Sequence, residues 1–281
     1  MLIKGPGSPG LCERLEVSES VEVKSKVFPD GEIYVRLEGD VTGEDCVLVQ
    51  TTYPNKHLIE MLFILDALVE NQASSVTTVI PYYSYSRQDK AFKEGECVSS
   101  RAIARIISTC ADEFYSIDLH SKSIVNFFNV PAENLEAMGL LAEHSLKYEP
   151  DMLLSPDEGG RGRVMLASER VGVPWDYLKK TRIDDSTVEI KPKNLGVEGK
   201  TVVILDDIIS TGGTMMEAAK QLYDKGAEEV HAGCTHGLFV EGSDKKLKKY
   251  FESVFCTDTI EGKNSDVTVA PLIKEKVFHR L

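Results

Sequence analysis

Six short runs of apolar and β-branched residues recur along the chain, and they limit its fold more than any other feature of the sequence. Most of these runs are continuous rather than alternating, which is typical of strands buried on both faces of a parallel sheet. Segments with helical periodicity lie between them, one with an apolar face formed by Leu58, Leu62, Leu65 and Val69. Strand alternating with helix predicts βαβ units and an α/β fold. The runs read DCVLVQTT, VTTVIPYY, EFYSIDLH, DMLLSPD, KTVVILDD and EVHAGCTH.

Length and composition agree with this class and disfavour others. At 281 residues the chain is long enough for two domains, and we place their predicted limits at 1–138 and 139–281. Apolar residues make up 42% and charged residues 27%, as in soluble globular proteins. The net charge of −13 argues against nucleic acid as a partner. Local clusters of lysine and arginine can still bind small anions.

The cysteines and the apolar segments indicate a cytoplasmic protein. None of the six cysteines forms a CxxC pair or a zinc-type spacing, so we predict buried or partly buried thiols in a reducing compartment. The N-terminal MLIKGPGSPG has no apolar signal core. The most apolar helix-like run, LIEMLFILDALV, is short and carries two acidic residues. We therefore expect no membrane span and no membrane partner.

Acidic residues follow three of the apolar runs at the point where each predicted strand ends. They are Asp118, Asp157 and the pair Asp206 and Asp207. Ligands of open parallel sheets bind outside the carboxyl ends of the strands. We therefore expect these carboxylates to line a binding site, either within one domain or across a cleft between two.

The acidic pair belongs to the stretch VVILDDIISTGGT, residues 202–214, in which two acids precede three hydroxyl side chains and two glycines. A buried strand and a helix capped by Ser210 or Thr211 would explain part of this pattern. However, glycine N–H groups at a helix N-terminus bind phosphate, and carboxylates bind sugar hydroxyls or hydrated Mg²⁺. The combination favours a phosphorylated sugar as the ligand. The stretch is not a Walker A loop, because Gly-Lys-Ser/Thr is missing.

Two segments of the N-terminal half carry groups suited to a nucleotide. FPDGEIYVR, residues 28–36, contains a Pro-Asp-Gly turn between predicted strands. Its Phe28 can also stack on a base, while Asp30 and Glu32 accept hydrogen bonds from the base or the ribose. YYSYSRQDKAF, residues 82–92, is either a charged loop or a triphosphate site, since arginine offers a bidentate fork and lysine a point charge.

Three further segments place charge beside glycine, histidine or hydroxyl groups. SPDEGGRGR, residues 155–163, is either an ordinary helix start or a pyrophosphate loop with Asp157 available to magnesium. LKKTRIDDSTVEI, residues 178–190, is a basic segment of the kind usually found in solvated loops. In SIDLHSKSI, residues 116–124, Asp118 and His120 are two apart, which on a continuing strand places them on one face.

These six segments, in their order along the chain, resemble elements of the ribose-phosphate pyrophosphokinase (PRPP synthetase) family in its short archaeal form. The stretch VVILDDIISTGGT also resembles the 5-phosphoribosyl 1-pyrophosphate (PRPP) motif of type I phosphoribosyltransferases. Those transferases lack the FxDGE element that begins here at Phe28. The resemblance extends from residue 28 to residue 214, which is most of the chain.

The resemblance implies an α/β protein of two phosphoribosyltransferase-like domains, each with a mainly parallel sheet flanked by helices. The N-terminal domain would form the ATP side and the C-terminal domain the ribose 5-phosphate side, with the active site between them. The implied reaction is Mg²⁺-dependent transfer of the β,γ-pyrophosphoryl group of ATP to the 1-hydroxyl of ribose 5-phosphate, giving PRPP and AMP for nucleotide biosynthesis. Because the family's FxDGE element binds ATP across a subunit interface, a homo-oligomer, dimer or larger, is also implied.

The same resemblance assigns roles to residues of this sequence. Those implied to bind ATP are Phe28, Asp30, Gly31, Glu32, Arg87 and Gln88. Those implied to bind ribose 5-phosphate are Arg182, Asp206, Asp207, Ser210, Thr211, Gly212, Gly213 and Thr214. Lys180 and Arg182 would be catalytic, because two cations stabilise charge on the transferring phosphoryl oxygens. His120 and Asp157 would hold Mg²⁺, and the unusual histidine ligand comes from the resemblance alone.

One departure and three alternatives accompany this interpretation. Ser210 stands where the family commonly has Asp, which removes one carboxylate beside the phosphate site; a hydroxyl can still donate to phosphate, so we expect activity. The alternatives are a type I phosphoribosyltransferase, a non-catalytic regulatory homologue and a sugar-phosphate binding module. FPDGE and SRQDK argue against the first, and the presence of Lys180, Arg182 and the metal positions argues against the second.

Overall fold

The computed structural model describes residues 1–182, 188–191 and 196–278, which form two compact units. The N-terminal unit holds Met1–Leu135 together with Thr259–Glu261 and the chain from Ala270. The C-terminal unit holds Glu136–Asp258 and Gly262–Val269. The chain therefore returns to the first unit twice after leaving it. The domain limits 1–138 and 139–281 stay a prediction.

A seven-stranded sheet forms the centre of the N-terminal unit. Its strands are β1 Leu2–Lys4, β2 Ser20–Val27, β3 Ile33–Leu37, β4 Asp45–Val49, β5 Ser75–Ile80, β6 Glu113–Ile117 and β7 Ala132–Leu135. They lie in the order β3-β2-β1-β4-β5-β6-β7. Neighbouring strands are parallel, except that β2 and β3 form an antiparallel hairpin at one edge. The first three α-helices of the unit are α1 Pro9–Arg14, α2 Asn55–Glu70 and α3 Ser99–Ile107.

A six-stranded parallel sheet forms the centre of the C-terminal unit. Its strands are β8 Met152–Ser155, β9 Trp175–Tyr177, β12 Thr201–Ile209, β13 Glu229–Gly237, β14 Ser253–Thr257 and β15 Ser265–Val267, in the order β15-β14-β13-β12-β8-β9. Two short strands, β10 Lys179–Arg182 and β11 Val188–Lys191, form a separate antiparallel pair. The helices are α4 Met138–Ser145, α5 Arg161–Val171, α6 Gly213–Asp224 and α7 Ser243–Leu247. Helix α8, Ala270–Val277, belongs to the N-terminal unit.

Both faces of the C-terminal sheet are buried, which explains the continuous apolar runs in its strands. In β12, Val202 and Ile204 pack with residues of α6, whereas Val203 and Leu205 pack with residues of α4 and α5. A strand enclosed in this way needs apolar side chains at every position rather than at every second one. The predicted α/β fold of two mainly parallel sheets flanked by helices is confirmed.

The predicted helix around Leu65 is present as α2, and three residues of its predicted apolar face, Leu58, Leu62 and Leu65, pack in the core. The buried residues are Glu60, Met61, Ile64, Leu65 and Leu68. Val69, assigned to the buried face from its spacing, is 49% exposed. The buried face also includes a carboxylate, Glu60, whose partners are polar side chains. A pattern based on apolar residues alone excludes such a position.

The thiols and the helices test two further predictions. All six cysteines are free, and five of them are buried or partly buried as predicted. Cys97 is exposed, contrary to the prediction, because it lies in a charged loop before α3. Among the described helices, none has both the length and the apolar composition that a membrane span needs.

Candidate active site

The two adjacent acids of the stretch 202–214 lie near the carboxyl end of β12. Asp207 is buried, while Asp206 is partly exposed. Strands β8 and β13 flank β12 in parallel register, with Ile204 opposite Leu154 on one side and Asp206 opposite Cys234 on the other. The segment that follows β8 therefore begins beside these acids at the same edge of the sheet.

An ion pair joins this strand to the segment SPDEGGRGR. Arg163, in the first turn of α5, places Nη2 3.2 Å from Oδ2 of Asp207. The pair is largely enclosed, because the two side chains are 18% and 5% exposed. Sequence reasoning left Arg163 out of the predicted site residues. The contact depends on the register between β8 and β12, which neither segment reveals alone.

Asp206 differs electrostatically from its neighbour. Burial raises the pKa of the Asp206 carboxyl well above its ordinary value of 3.8, and the carboxylates of Asp207 and Asp157 raise it further. One of its oxygens accepts a hydrogen bond from the backbone N–H of Asp207 at 2.9 Å. Because Arg163 stabilises negative charge on Asp207, the arrangement favours a proton held on Asp206.

Asp157 organises the glycine-rich turn that precedes α5. Its Oδ1 accepts hydrogen bonds from the backbone N–H groups of Gly159 at 3.0 Å and Gly160 at 3.3 Å. Its carbonyl oxygen accepts a hydrogen bond from Ser155 Oγ at 2.7 Å. A β-carbon on Gly160 would collide with that hydroxyl oxygen, so glycine at this position leaves room for the Ser155 hydrogen bond. The charge of Asp157 also acts on Asp206, which brings two of the predicted acids together in one unit.

The hydroxyl- and glycine-rich turn leads into α6. Gly212 precedes the helix with φ +76°, and a β-carbon there would lie 3.1 Å from the side chain of Leu247. Conformation and packing therefore both require glycine. No side chain of the described residues caps this helix, so the capping by Ser210 or Thr211 that we considered is not found. The carbonyl of Ser210 instead accepts a hydrogen bond from Ser243 Oγ at 2.7 Å.

The predicted catalytic cations lie on β10. The backbone of Lys180 pairs with Ile190 of β11, and that of Arg182 with Val188; the side chains of these strands lie outside the described part of the structure, as do residues 183–187. The nearby Arg161 lies over the rings of Trp175, at 5.8 Å, and Tyr177, at 5.6 Å. Arg161 therefore contacts the strand that immediately precedes β10, in a cation–π geometry.

The segment FPDGE forms the tip of the β2–β3 hairpin. Phe28 N–H donates to the carbonyl of Glu32 at 2.8 Å, and Gly31 N–H donates to the carbonyl of Phe28 at 2.9 Å. Gly31 has φ +92°, a conformation that favours glycine. Glu32 N–H donates to Asp30 Oδ1 at 3.1 Å. The Phe28 side chain is 39% exposed, so the tip presents an aromatic ring and two carboxylates to solvent.

The segment SRQDK follows β5, and its two predicted residues are held differently. Gln88 is partly buried and accepts hydrogen bonds from two serines of α3: Ser99 Oγ reaches its side chain at 2.7 Å, and Ser100 Oγ reaches its carbonyl at 2.9 Å. Arg87 is exposed. Three interstrand spacings, about 14 Å, separate β2 from β5 in the sheet. The two predicted ATP elements therefore start from different parts of the sheet.

Asp118 and His120 do not continue β6 as one strand face. The strand ends at Ile117, and Asp118 takes the left-handed conformation with φ +41°. Its N–H donates to the carbonyl of Leu135 at 2.9 Å. The shared face proposed from their spacing is therefore wrong, because the chain turns at Asp118. His120 is exposed and Asp118 is buried.

The two residues implied to hold Mg²⁺, His120 and Asp157, differ in how well they suit that ion. Among the described residues, no group of three or more His, Cys, Asp and Glu side chains forms a metal-ligand cluster. Mg²⁺ usually binds through one or two carboxylates, its own waters and substrate phosphates. Asp157 supplies the carboxylate oxygen that this ion prefers, whereas the His120 imidazole is a less usual ligand. The donor set fits a magnesium ion that arrives with a phosphorylated substrate better than a resident ion in a closed protein site.

Comparison with known proteins gives consistent matches in both units. A family model described as the N-terminal domain of ribose phosphate pyrophosphokinase matches residues 8–110, and the phosphoribosyl transferase domain model matches residues 123–271. Ribose-phosphate pyrophosphokinase 2 of Archaeoglobus fulgidus is 41% identical over 280 residues, covering 98% of this chain and 99% of its own length. The ribose-phosphate pyrophosphokinase of Pyrococcus furiosus is 39% identical over 277 residues, covering 97% and 99%.

A solved structure extends the comparison to the fold. The phosphoribosylpyrophosphate synthetase of Mycobacterium smegmatis is 30% identical and superposes with a TM-score of 0.88. The match covers 100% of this chain and 99% of that one. Likeness of sequence and of fold therefore extends over the full length rather than over one unit.

Proposed function

The chain belongs to the ribose-phosphate pyrophosphokinase family and is an enzyme of PRPP synthesis; from that premise we propose the detailed reaction and the residues that carry it. The 1-hydroxyl oxygen of ribose 5-phosphate attacks the β-phosphorus of ATP. The bond between the β-phosphorus and the oxygen that bridges it to the α-phosphorus breaks, and AMP leaves. The hydroxyl proton is released, and the product is PRPP.

The observation that carries this proposal is the acid pair of β12 beside the start of α6. Asp206 and Asp207 accept hydrogen bonds from the ribose hydroxyls, and Arg163 holds Asp207 in place. The 5-phosphate binds at residues 210–214, where glycine exposes backbone N–H groups and the helix N-terminus favours an anion. A phosphorylated sugar satisfies both features at once. Arg182 contributes a further cation to the sugar phosphate.

On the ATP side, the proposed contacts come from the hairpin tip and the loop after β5. Phe28 stacks on the base, and Asp30 and Glu32 accept hydrogen bonds from the base or the ribose. Arg87 is the exposed cation for the triphosphate, and Gln88 is fixed beside it by the serines of α3. The separation of these two elements along the sheet supports a homo-oligomer in which a tip serves the site of another copy.

The remaining groups act on the transferring pyrophosphoryl group. Asp157 and His120 would hold Mg²⁺, which neutralises charge on the phosphate oxygens when bound. Lys180 and Arg182 stabilise the charge that develops on those oxygens. No protein nucleophile is required, since positioning and electrostatic stabilisation suffice for phosphoryl transfer. The free thiols suit the cytoplasm, which is where we place the enzyme.

One assay tests the reaction directly. The protein is incubated with Mg²⁺, ribose 5-phosphate and ATP labelled either in the α- or in the γ-phosphate. We expect the α-label in AMP and the γ-label in PRPP, with both products in equal amounts. ADP as the only nucleotide product would contradict pyrophosphoryl transfer. Pyrophosphate released from PRPP only when a base is added, without conversion of ATP, would instead support a phosphoribosyltransferase.

Replacement of Asp206 by asparagine should affect folding and binding in opposite directions. The folded-state pKa of Asp206 lies above its unfolded value, so stability falls as pH rises from the unfolded pKa to the folded one and stays reduced above it. We therefore expect Asp206→Asn to resist urea better than the parent chain at pH 7, with the difference shrinking toward pH 4. KM for ribose 5-phosphate should rise about tenfold, because asparagine keeps only one of the two side-chain oxygens that can accept from the ribose hydroxyls. An asparagine variant less stable at pH 7 would contradict the raised pKa.

A further inference from the structure

The β2–β3 hairpin has few apolar contacts with the rest of its unit near its tip. Strand β2 pairs with β1 over residues 20–22, and beyond these its described partner is β3. The side chains on this face of β2 become more exposed along the strand. Val21 and Val23 join the core, Ser25 is partly buried, and Val27 is 46% exposed. Val35 of β3, which pairs with Ser25, also packs against the core, so apolar packing of the hairpin ends at the level of Ser25, before the turn that begins at Phe28.

A buried carboxylate of α2 holds the hairpin at that point. Glu60 is fully buried, and its Oε1 accepts a short hydrogen bond from Ser25 Oγ. His57 Nδ1 lies 2.6 Å from the other oxygen, and Lys56 Nζ lies 3.3 Å from Oε1. Burial alone raises the pKa of Glu60, but the hydrogen bonds from His57 and Ser25 and the charges of His57 and Lys56 bring it below its ordinary value. The group is therefore ionised and accepts from all three donors.

The helix end of this contact is fixed to the central sheet. The carbonyl of His57 accepts a hydrogen bond from Gln50 Nε2 at 3.1 Å. The side-chain oxygen of Gln50, which follows β4 and is fully buried, accepts from Gly7 N–H at 2.8 Å. The first turn of α2 is thus tied to the loops after β1 and β4. A chain of hydrogen bonds leads from the centre of the sheet through Glu60 to the hairpin.

A buried ion is a poor way to gain stability, because its desolvation cost can exceed what its partners return. An apolar residue at position 60 would pack the hairpin without that cost. What a carboxylate adds is direction, since its hydrogen bonds fix Ser25 at one angle and distance. The contact also lies at the last level of the hairpin that packs against the core, since Val35 pairs with Ser25. Both features indicate that the Glu60 carboxylate fixes the position of the hairpin rather than adding to the stability of the fold.

We propose that Glu60 is a positioning residue for the nucleotide, acting through Ser25 to set the angle of the hairpin and hence the place of its tip. This inference rests on the proposed role of Phe28, Asp30 and Glu32 in binding ATP. Ser25 lies three residues from Phe28, about 10 Å along an extended strand. Rotation about the Ser25 contact therefore displaces the tip, and displacements of about 1 Å are enough to weaken binding and catalysis.

Replacement of Ser25 is a more specific test than replacement of Glu60, because Glu60 then keeps its two other partners, His57 and Lys56. We expect Ser25→Ala to raise KM for ATP about tenfold, the effect of losing one hydrogen bond to a charged group. KM for ribose 5-phosphate should stay within about twofold. Ser25→Thr keeps the hydroxyl in a residue that suits strands and should restore KM for ATP to within about twofold. Glu60→Gln should raise KM for ATP in the same way, and Asp66→Asn, on the exposed side of α2, is the matched control.

A second measurement separates this inference from the reaction itself. Hydrogen exchange of residues 23–37, measured without substrates, should be about tenfold faster in Ser25→Ala than in the parent chain and in Ser25→Thr. Equal rates in all three would overturn the proposal, as would a rise of both KM values by the same factor. A parent enzyme that forms no AMP would contradict the proposed function, while the exchange rates would still decide whether Glu60 holds the hairpin.

Discussion

Replacement of Lys180 by alanine is expected to lower kcat for AMP formation by about 10²–10³-fold, the effect of removing one group that stabilises transition-state charge. KM for ATP and for ribose 5-phosphate should change much less, because the cation acts mainly on charge that develops during transfer. The fold should be unaffected. Lys180 takes part in β10 through its backbone, which pairs with Ile190, and alanine preserves that pairing. Steady-state kinetics measure kcat and the two KM values, and a urea unfolding curve measures the stability of the fold.

Lys179→Ala is the matched control, since it removes the same ammonium group one residue earlier in the same strand. We expect its kcat to stay within about threefold of the parent value. If Lys179→Ala lost activity and Lys180→Ala kept it, the catalytic role would move to Lys179. If both variants kept full activity, the proposed role of this basic segment would be wrong.

Replacement of Arg163 by methionine is expected to lower the free energy of unfolding at pH 7 by roughly 3 kcal/mol. That is the low end for breaking a buried ion pair, as suits an arginine that keeps some exposure. Methionine preserves much of the apolar stem, so most of the loss reflects the charge left on Asp207 beside Asp206. KM for ribose 5-phosphate should also rise, because the acid pair loses the cation that orients it. Urea unfolding and substrate titration measure the two effects.

Arg170 on the same helix is the matched control. It pairs with Glu143 at 2.6 Å, but both side chains are about half exposed, so Arg170→Met should change stability by less than about 0.5 kcal/mol. Adding Asp207→Asn to Arg163→Met should recover part of the lost stability, because the unpaired charge is removed. If Arg163→Met and Arg170→Met lowered the free energy of unfolding equally, the ion pair with Asp207 would contribute no more to stability than the exposed pair of Arg170 and Glu143.

The sheet and the position of the acids could be predicted because they depend on local pattern. Continuous apolar runs identify strands buried on both faces, and parallel strands bring their carboxyl ends to one edge. Asp157 and Asp206 lie close enough for one charge to act on the other, as that rule requires. The partner of Asp207 could not be predicted in the same way. It is set by the register of β8 with β12 and by where α5 begins.

The remaining differences have the same origin in contacts that are distant in sequence. The buried face of α2 was assigned from apolar spacing, and a carboxylate fully enclosed by polar partners lies outside any such pattern. Asp118 and His120 were assigned to one face on the premise of a continuing strand. A positive φ at Asp118 ends that strand. The N–H of Asp118 donates to the carbonyl of Leu135, which lies at the end of β7.

The return of the chain to its first unit has a consequence for how the protein is made. Thr51 Oγ1 donates a hydrogen bond to the carbonyl of Thr259, and Glu261 accepts one from Leu11 N–H at 2.7 Å. During translation, Thr259 and Glu261 are added to the chain about ten seconds after Leu135. The nascent N-terminal unit therefore spends that interval without either contact, and α8 comes later still. A premature stop codon that removed residues 259–277 would thus damage the unit of the protein that was translated first.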